Sequence, residues 1–289
     1  MGRGTKALSV TLLSVLLALV PATLDACTLW AAIGDKAEGG GTLLSKNRDW
    51  KPDHHQSLKL VRPREGFAYL GLWAEGNDDP GLKAGVNEKG LSIISASTNI
   101  PRKDRASQPG KHGVMSRILA NYASVDALAA DAAKIFSQAR TSFLMIADRR
   151  KVLMVEIGLE GKFSMKVVES GTATHTNHFL DPKLALIYNG KIGTSSAIRL
   201  ARIRELLARG ESPFTLAQFA ALSRDQHDGP DNSLWRRGKE FTLASWIIDS
   251  PTAGPLRLRV VIANPGEVES TKELELNAAF WGKKQPPGQ

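Results

Sequence analysis

The feature that most constrains this chain is where its folded part can begin. Residues Ala7 to Val20 are nearly continuous apolar, with Arg3 and Lys6 before them and Pro21 after, and the chain's only cysteine, Cys27, follows directly on Ala26. A short positive start, an apolar run and a small residue before a cut site are the grammar of a secretory signal peptide. The run is shorter than the roughly 20 residues a spanning helix needs. We therefore expect residues 1–26 to be removed on export to the periplasm or the medium; an uncleaved membrane anchor is the alternative. Residues 27–280 would form a single domain and residues 281–289 a frayed tail. No later stretch has transmembrane character.

Hydropathy patterning beyond Cys27 orders the elements. "CTLWAAIG" and "GTLLSKNRDW" read as two strands joined by the glycine-rich turn "DKAEGGG", and "SLKLVRP", "FAYLGLW" and "GLSIISAST" continue the run. Met115, Ile118, Leu119 and Tyr122 then repeat at helical spacing, and Ser124 is placed to cap "VDALAADAAKIF". Strands return in "SFLMIAD", "KVLMVEIG", "KFSMKVV" and "ATHTNHF". A second helical block holds "SSAIRLARIRELLARG", with Gly210 at its C-cap and Thr215 opening the next helix, before "FTLASWIID" and "LRLRVVIAN". Strands, then helices, then strands in blocks predict an α+β layered domain, which two sheets packed face to face with helices outside would fit.

Charge and histidine spacing exclude two classes. The 38 Lys and Arg against 29 Asp and Glu give a formal charge of +9, but the cations are scattered and not interleaved with aromatics, so no nucleic-acid partner is expected. The balance leans weakly towards anionic substrates. His175 and His178 fall on opposite faces of a regular strand, and neither they nor the adjacent His54 and His55 have a third ligand at diagnostic spacing, so no metal and no cofactor is expected.

An exported chain normally uses cysteines in pairs, and Cys27 has nothing to pair with. Three readings compete. "LDAC" could be a lipobox, making the mature protein a lipid-anchored binding module, although Asp25 stands where a small neutral residue is usual. Cys27 could be an ordinary buried residue of the first strand. Or cleavage could expose it as residue one, carrying a thiol and a free α-amine together. An α-amine titrates near 7.7–8.0 and a thiol near 8.5, so the amine can take the thiol's proton itself. The chemistry implied is acyl transfer from an amide through a thioester.

The order "CTLW", "KNRDW", "GVNEKGLSI", "HTNHF" and "SSAIRLAR" resembles the choloylglycine hydrolase family of linear amide C–N hydrolases and its penicillin acyltransferase-like relatives, in the N-terminal-nucleophile superfamily. The resemblance runs from Cys27 to about Asn264. It implies a four-layer αββα fold of two stacked, mainly antiparallel sheets with helices outside, and a small-molecule amide substrate, with acyl transfer as the variant reaction. No membrane partner would remain after cleavage, and a homo-oligomer stays open. It further implies Cys27 as nucleophile and Asp49 as the carboxylate that holds the N-terminal residue. Asn177 would donate its amide to the oxyanion, Asn99 would be a second contributor, and Arg199 would be an arginine near the site. Lys46 stands where the family usually has arginine; it keeps the charge but loses the planar fork. Arg48 would point the same way as Lys46 if the pleat is regular.

Overall fold

The structure, a computed structural model, describes residues 27–282 other than 77, 78 and 109. The proposed leader and nearly all of the proposed tail lie outside the described residues.

The chain opens with β1 (Cys27–Ile33), β2 (Thr42–Trp50), β3 (His55–Val61), β4 (Tyr69–Glu75), β5 (Gly81–Asn87) and β6 (Ser92–Ala96). Helices α1 (Arg102–Ser107), α2 (Val114–Asn121), α3 (Val125–Ala130) and α4 (Ala132–Phe136) follow. Next come β7 (Ser142–Ala147), β8 (Val152–Ile157), β9 (Phe163–Val168) and β10 (Gly171–His175). Helices α5 (Pro182–Tyr188), α6 (Thr194–Arg209), α7 (Leu216–Ser223) and α8 (Gly229–Asn232) lead to β11 (Phe241–Ser250), β12 (Leu256–Ile262) and β13 (Ser270–Leu276). One sheet has the order β10-β1-β2-β11-β12-β13 and the other runs β3 to β9 in sequence. All pairings within both are antiparallel.

Alternation along the strands builds the layers. From β1, Leu29, Ala31 and Ile33 join Leu72, Val86 and Met145 of the opposite sheet in a cluster between the sheets. Trp30 and Ala32 point the other way, to Ile203 of α6 and Phe219 of α7. The outer face of the second sheet covers itself with α2, α3 and α4 through Ile93, Ile118, Leu128 and Phe136. The result is helix, sheet, sheet, helix. Both faces of β1 and β2 are covered, so every residue of both strands is buried, charged ones included. Buried charge needs partners, and here those partners form the site.

Several expectations change in detail. Ser124 and Thr215 do cap their helices, Thr215 in a reciprocal box with Gln218. The "VDALAADAAKIF" helix divides at Asp131 into α3 and α4. Gly210 caps α6 with φ −68°, not in the left-handed region. What demands glycine there is the Phe214 ring, which would lie 2.5 Å from an added Cβ. Five elements were not expected from the sequence: β5, α1, α5, α8 and β13.

Candidate active site

Cys27 opens β1 and is 2% exposed. Its neighbours follow from strand register. On β2 its partner is Arg48. On the other side β1 pairs with β10, Leu29 opposite His175, and extending that register by two puts Asn177 level with Cys27. Ladder pairing ends at His175, and side chains take over. The Cys27 backbone nitrogen donates to Asn177 Oδ1 at 2.9 Å. Arg199 Nη2 donates to the same oxygen at 2.9 Å. Two donors fix that atom as the oxygen, so Nδ2 faces away and donates to the Ser97 carbonyl at 2.9 Å.

The segment carrying Asn177 is held at several points. Its backbone N–H donates to Ser196 Oγ at 2.9 Å. Glu156 faces His175 Nε2 across 2.9 Å and accepts from the backbone nitrogens of Leu180 and Asp181. His178 lies 2.8 Å from Ser196 Oγ through Nδ1, and burial pushes it down to about 4, so it is neutral near pH 7. The histidines are thus used within the loop. Among the described residues no group of three or more His, Cys, Asp or Glu is arranged to hold a metal.

Arg199 is the hub. Nη1 donates to the Cys27 carbonyl at 2.6 Å and to Thr28 Oγ1 at 2.8 Å, and Nε to Ser195 Oγ at 3.2 Å. It shares the buried stripe of α6 with Ser196, Leu200, Ile203 and Leu207, whereas Arg202 turns to Asp225 and Glu205. Burial lowers Arg199 to about 10, with Asp49 opposing the shift. Arg199 is thus buried on a helix whose Arg204 and Arg209 are exposed.

Asp49 lies on β2 one residue past Arg48, on the helix side of the sheet. Its Oδ1 accepts from Thr242 Oγ1 at 2.7 Å, and its buried Oδ2 has no partner. Burial raises its carboxyl above the ordinary range, against the pull of Arg236 and Arg199. Thr242 owes its position to a register shift between Thr242 and Ala244 where β11 pairs with β2. Bulges commonly re-aim side chains in this way beside sites.

The other face of β2 meets a cavity of about 300 Å³ lined by Cys27, Lys46, Arg48, Lys83 and Ser97, among others. Cys27, Lys46 and Arg48 lie along one face because β1 and β2 pair without a bulge. Lys46 Nζ bonds the Ser95 carbonyl. Burial lowers its ammonium to about 8, and the charge of Cys27 pulls it back up.

This arrangement met three comparisons. The family model for acyl-coenzyme A:6-aminopenicillanic acid acyl-transferase matches residues 36–261. The chain belongs to that family. Among curated proteins none matches the sequence. Among solved structures, a variant of conjugated bile acid hydrolase from Clostridium perfringens is similar at 13% identity and TM-score 0.54, covering 86% of this chain and 92% of that one. A Caenorhabditis elegans ortholog of N-acylethanolamine-hydrolyzing acid amidase is similar at 13% identity and TM-score 0.53, covering 77% and 92%. The fold is the αββα N-terminal-nucleophile hydrolase fold.

Within this acyl-transferase family member, Cys27, Asn177 and Arg199 are in direct contact, Asp49 borders them, and Lys46 joins Cys27 at the cavity. Asn99 does not join them. Its Nδ2 donates to the Tyr188 carbonyl at 3.3 Å and Asn189 Oδ1 at 3.0 Å. Both amide hydrogens are committed to the end of α5, which leaves none for an oxyanion. Asn177 has spent one of its two on Ser97. Ser196, Thr242 and Glu156 support the site without having been singled out. Only Ser196 had a signal, as part of "SSAIR".

Arg199 supplies a test of this packing. In Arg199→Met the Cys27 carbonyl, the Thr28 hydroxyl and Asn177 Oδ1 each lose a donor away from water. We expect a loss of about 3–5 kcal/mol, the range for removing one partner from a buried charged network. Urea unfolding should show a lower midpoint with little change in slope. Arg202→Met, which breaks a partly exposed pair, should cost much less.

Proposed function

We propose that the chain is an exported cysteine amidohydrolase that cleaves linear amide C–N bonds through a thioester on Cys27. The observation that carries this reading is the placement of the only cysteine. Cys27 is the first residue of an inner strand, its sulfur side is on a cavity, and its nitrogen is held by Asn177.

Removal of residues 1–26 turns the Cys27 nitrogen into an amine with hydrogens beyond the one given to Asn177. Asp49 Oδ2 is a buried acceptor still open, and the β1–β2 register sets Asp49 at the nitrogen end of Cys27. Once protonated, the amine would find a carboxylate there. The neutral amine takes the thiol proton, and Sγ attacks the amide carbonyl. The C–N bond breaks as the amine passes its proton to the leaving nitrogen. Water, activated by the same amine, then splits the thioester to a carboxylic acid and the thiol. The remaining Nδ2 hydrogen of Asn177 is the proposed oxyanion donor. Lys46 supports the thiolate by charge.

Burial of Cys27 within β1 speaks against the lipid-anchored alternative, since a diacylated terminal residue must leave the sheet. Acyl transfer to an amine uses the same thioester and differs only in what meets it. The test is a panel of bile conjugates, penicillin V, acyl-homoserine lactones and N-acyl amino acids, with and without an added amine. Amine release from at least one substrate is expected; release from none defeats the hydrolase assignment.

The pH profile should be bell-shaped. Activity rises as the α-amine loses its proton and falls above about pH 8 as Lys46 loses its own. In Lys46→Arg the alkaline limb should move up by more than one pH unit, because arginine stays charged. An unmoved limb would remove Lys46 from the mechanism. Stability carries the same signature. The folded chain releases the Lys46 proton near 8 and the unfolded one near 10.5, so this group makes folding more favourable as pH rises between those values.

A further inference from the structure

Arg48 has a feature that the mechanism above does not use. Its side chain is 1% exposed, and Nη1 donates to the Asp49 carbonyl at 2.9 Å. Its Nε and Nη2 are buried with no partner. Those two nitrogens form one edge of the guanidinium, the side-on fork whose parallel N–H groups match the two oxygens of a carboxylate. The plane is fixed by stacking over the Trp50 ring, 4.2 Å from its centroid. Buried donors are ordinarily satisfied, so a whole unmet fork calls for an acceptor.

Position says where that acceptor would come from. Arg48 is the cross-strand partner of Cys27 and lines the same cavity. Directly opposed residues on one face of a sheet have Cβ atoms about 4.5–5.5 Å apart. Cys27 is nearly as buried as Arg48, so a substrate that reaches the sulfur also reaches the fork. The local charge agrees. Lys46, Arg48 and Lys83 stand against Asp79, which bonds Lys83 Nζ at 2.6 Å, and against the Cys27 thiolate when it forms. Among the described lining residues that leaves one positive charge uncompensated near the sulfur. Farther out the cavity adds Arg105, Lys111 and Arg140 and no further acid among the described residues.

We propose that Arg48 is a specificity-determining anion site, and that the preferred substrate is an amide carrying a carboxylate within a few bonds of the scissile carbonyl. This rests on Cys27 being the nucleophile. The substrate's carboxylate accepts both N–H bonds of the fork, and the same contact sets the carbonyl over Sγ.

The experiment compares N-phenylacetylglycine with its methyl ester, using the chain that begins at Cys27. The acid should be cleaved with the higher kcat/KM. In Arg48→Met the acid-to-ester ratio should fall on the order of 10- to 100-fold, mostly through KM, the size of a charge-assisted hydrogen-bond pair. Arg48→Lys should fall between. A ratio unchanged in Arg48→Met, or a wild-type preference for the ester, overturns the proposal. Calorimetric binding of both compounds to Cys27→Ala, with and without Arg48→Met, separates this claim from the hydrolase reading. Arg48-dependent binding of the acid without cleavage keeps the anion site and removes the hydrolase; cleavage indifferent to Arg48 does the reverse. Binding of neither compound, with both left intact, overturns the anion site as well. Circular dichroism melts confirm that each variant is folded.

Discussion

Cys27→Ala is expected to remove turnover, by a factor on the order of 10⁴ to 10⁶, while the fold survives. The size follows from the loss of a nucleophile in a constellation whose members act together. Survival of the fold follows from what the side chain does structurally. Cys27 packs at the rim of the cluster between the sheets, and its contacts with Asn177 and Arg199 run through backbone nitrogen and carbonyl, which alanine keeps. Losing one buried sulfur should cost about 1 kcal/mol, within the ordinary range for point changes. The check pairs a substrate assay with a thermal melt. Near-normal hydrolysis by the alanine variant would mean that another group forms the covalent bond. No other cysteine is available to take over.

A chain that keeps one extra residue, beginning at Ala26, should lose a factor of about 10² to 10⁴ even though Cys27 is intact. Its nitrogen would then be an amide nitrogen, whose lone pair is delocalised and does not accept a proton at neutral pH. General-base assistance is worth about that much. The structure makes the comparison clean, because the nitrogen's hydrogen bond to Asn177 Oδ1 is available to an amide as well as an amine. Binding of substrate should change little, so the loss should appear in kcat. Alkylation of Cys27 by iodoacetamide should slow in parallel, since thiolate formation near neutral pH depends on the same base.

Much of this site could be read from residue order, and the failures have physical causes. In "KNRDW" the pleat is regular, so Lys46 and Arg48 share a face, as expected, and line the cavity with Cys27, while Asn47 faces α7 and donates to the Ser223 carbonyl. Arg199 was harder, since four arginines along α6 suggest a wet face. Its spacing of three from Ser196, and of one, four and eight to Leu200, Ile203 and Leu207, in fact sets it on the apolar stripe. Asn99 misled because an asparagine after a strand is chemically suitable wherever it points. Here tertiary contacts with Tyr188 and Asn189 claim its amide, and no local pattern reports them.

The missed β13, β5 and α5 each have their own physical cause. β13, "STKELEL", is the edge of its sheet and mostly exposed, so it carries charge where an interior strand carries apolar residues. β5, "GLKAGVN", has two glycines and weak strand propensity, yet it is central. At Gly85 an added Cβ would come within 2.6 Å of the Leu119 side chain, so close packing selects glycine there. α5 announces itself by Asp181 capping before Pro182, but its apolar residues Leu186 and Ile187 face outward and blur the period.

Rapid-quench mass spectrometry of the peptide that begins at Cys27, taken during turnover of a slowly hydrolysed amide, tests the central claim most directly. The account predicts a hydroxylamine-labile acyl group on Cys27, formed as fast as amine is released, in a chain whose first residue is Cys27. Amine release with Cys27 unmodified, an acyl group on another residue, or a first residue other than Cys27 in the active chain would contradict it.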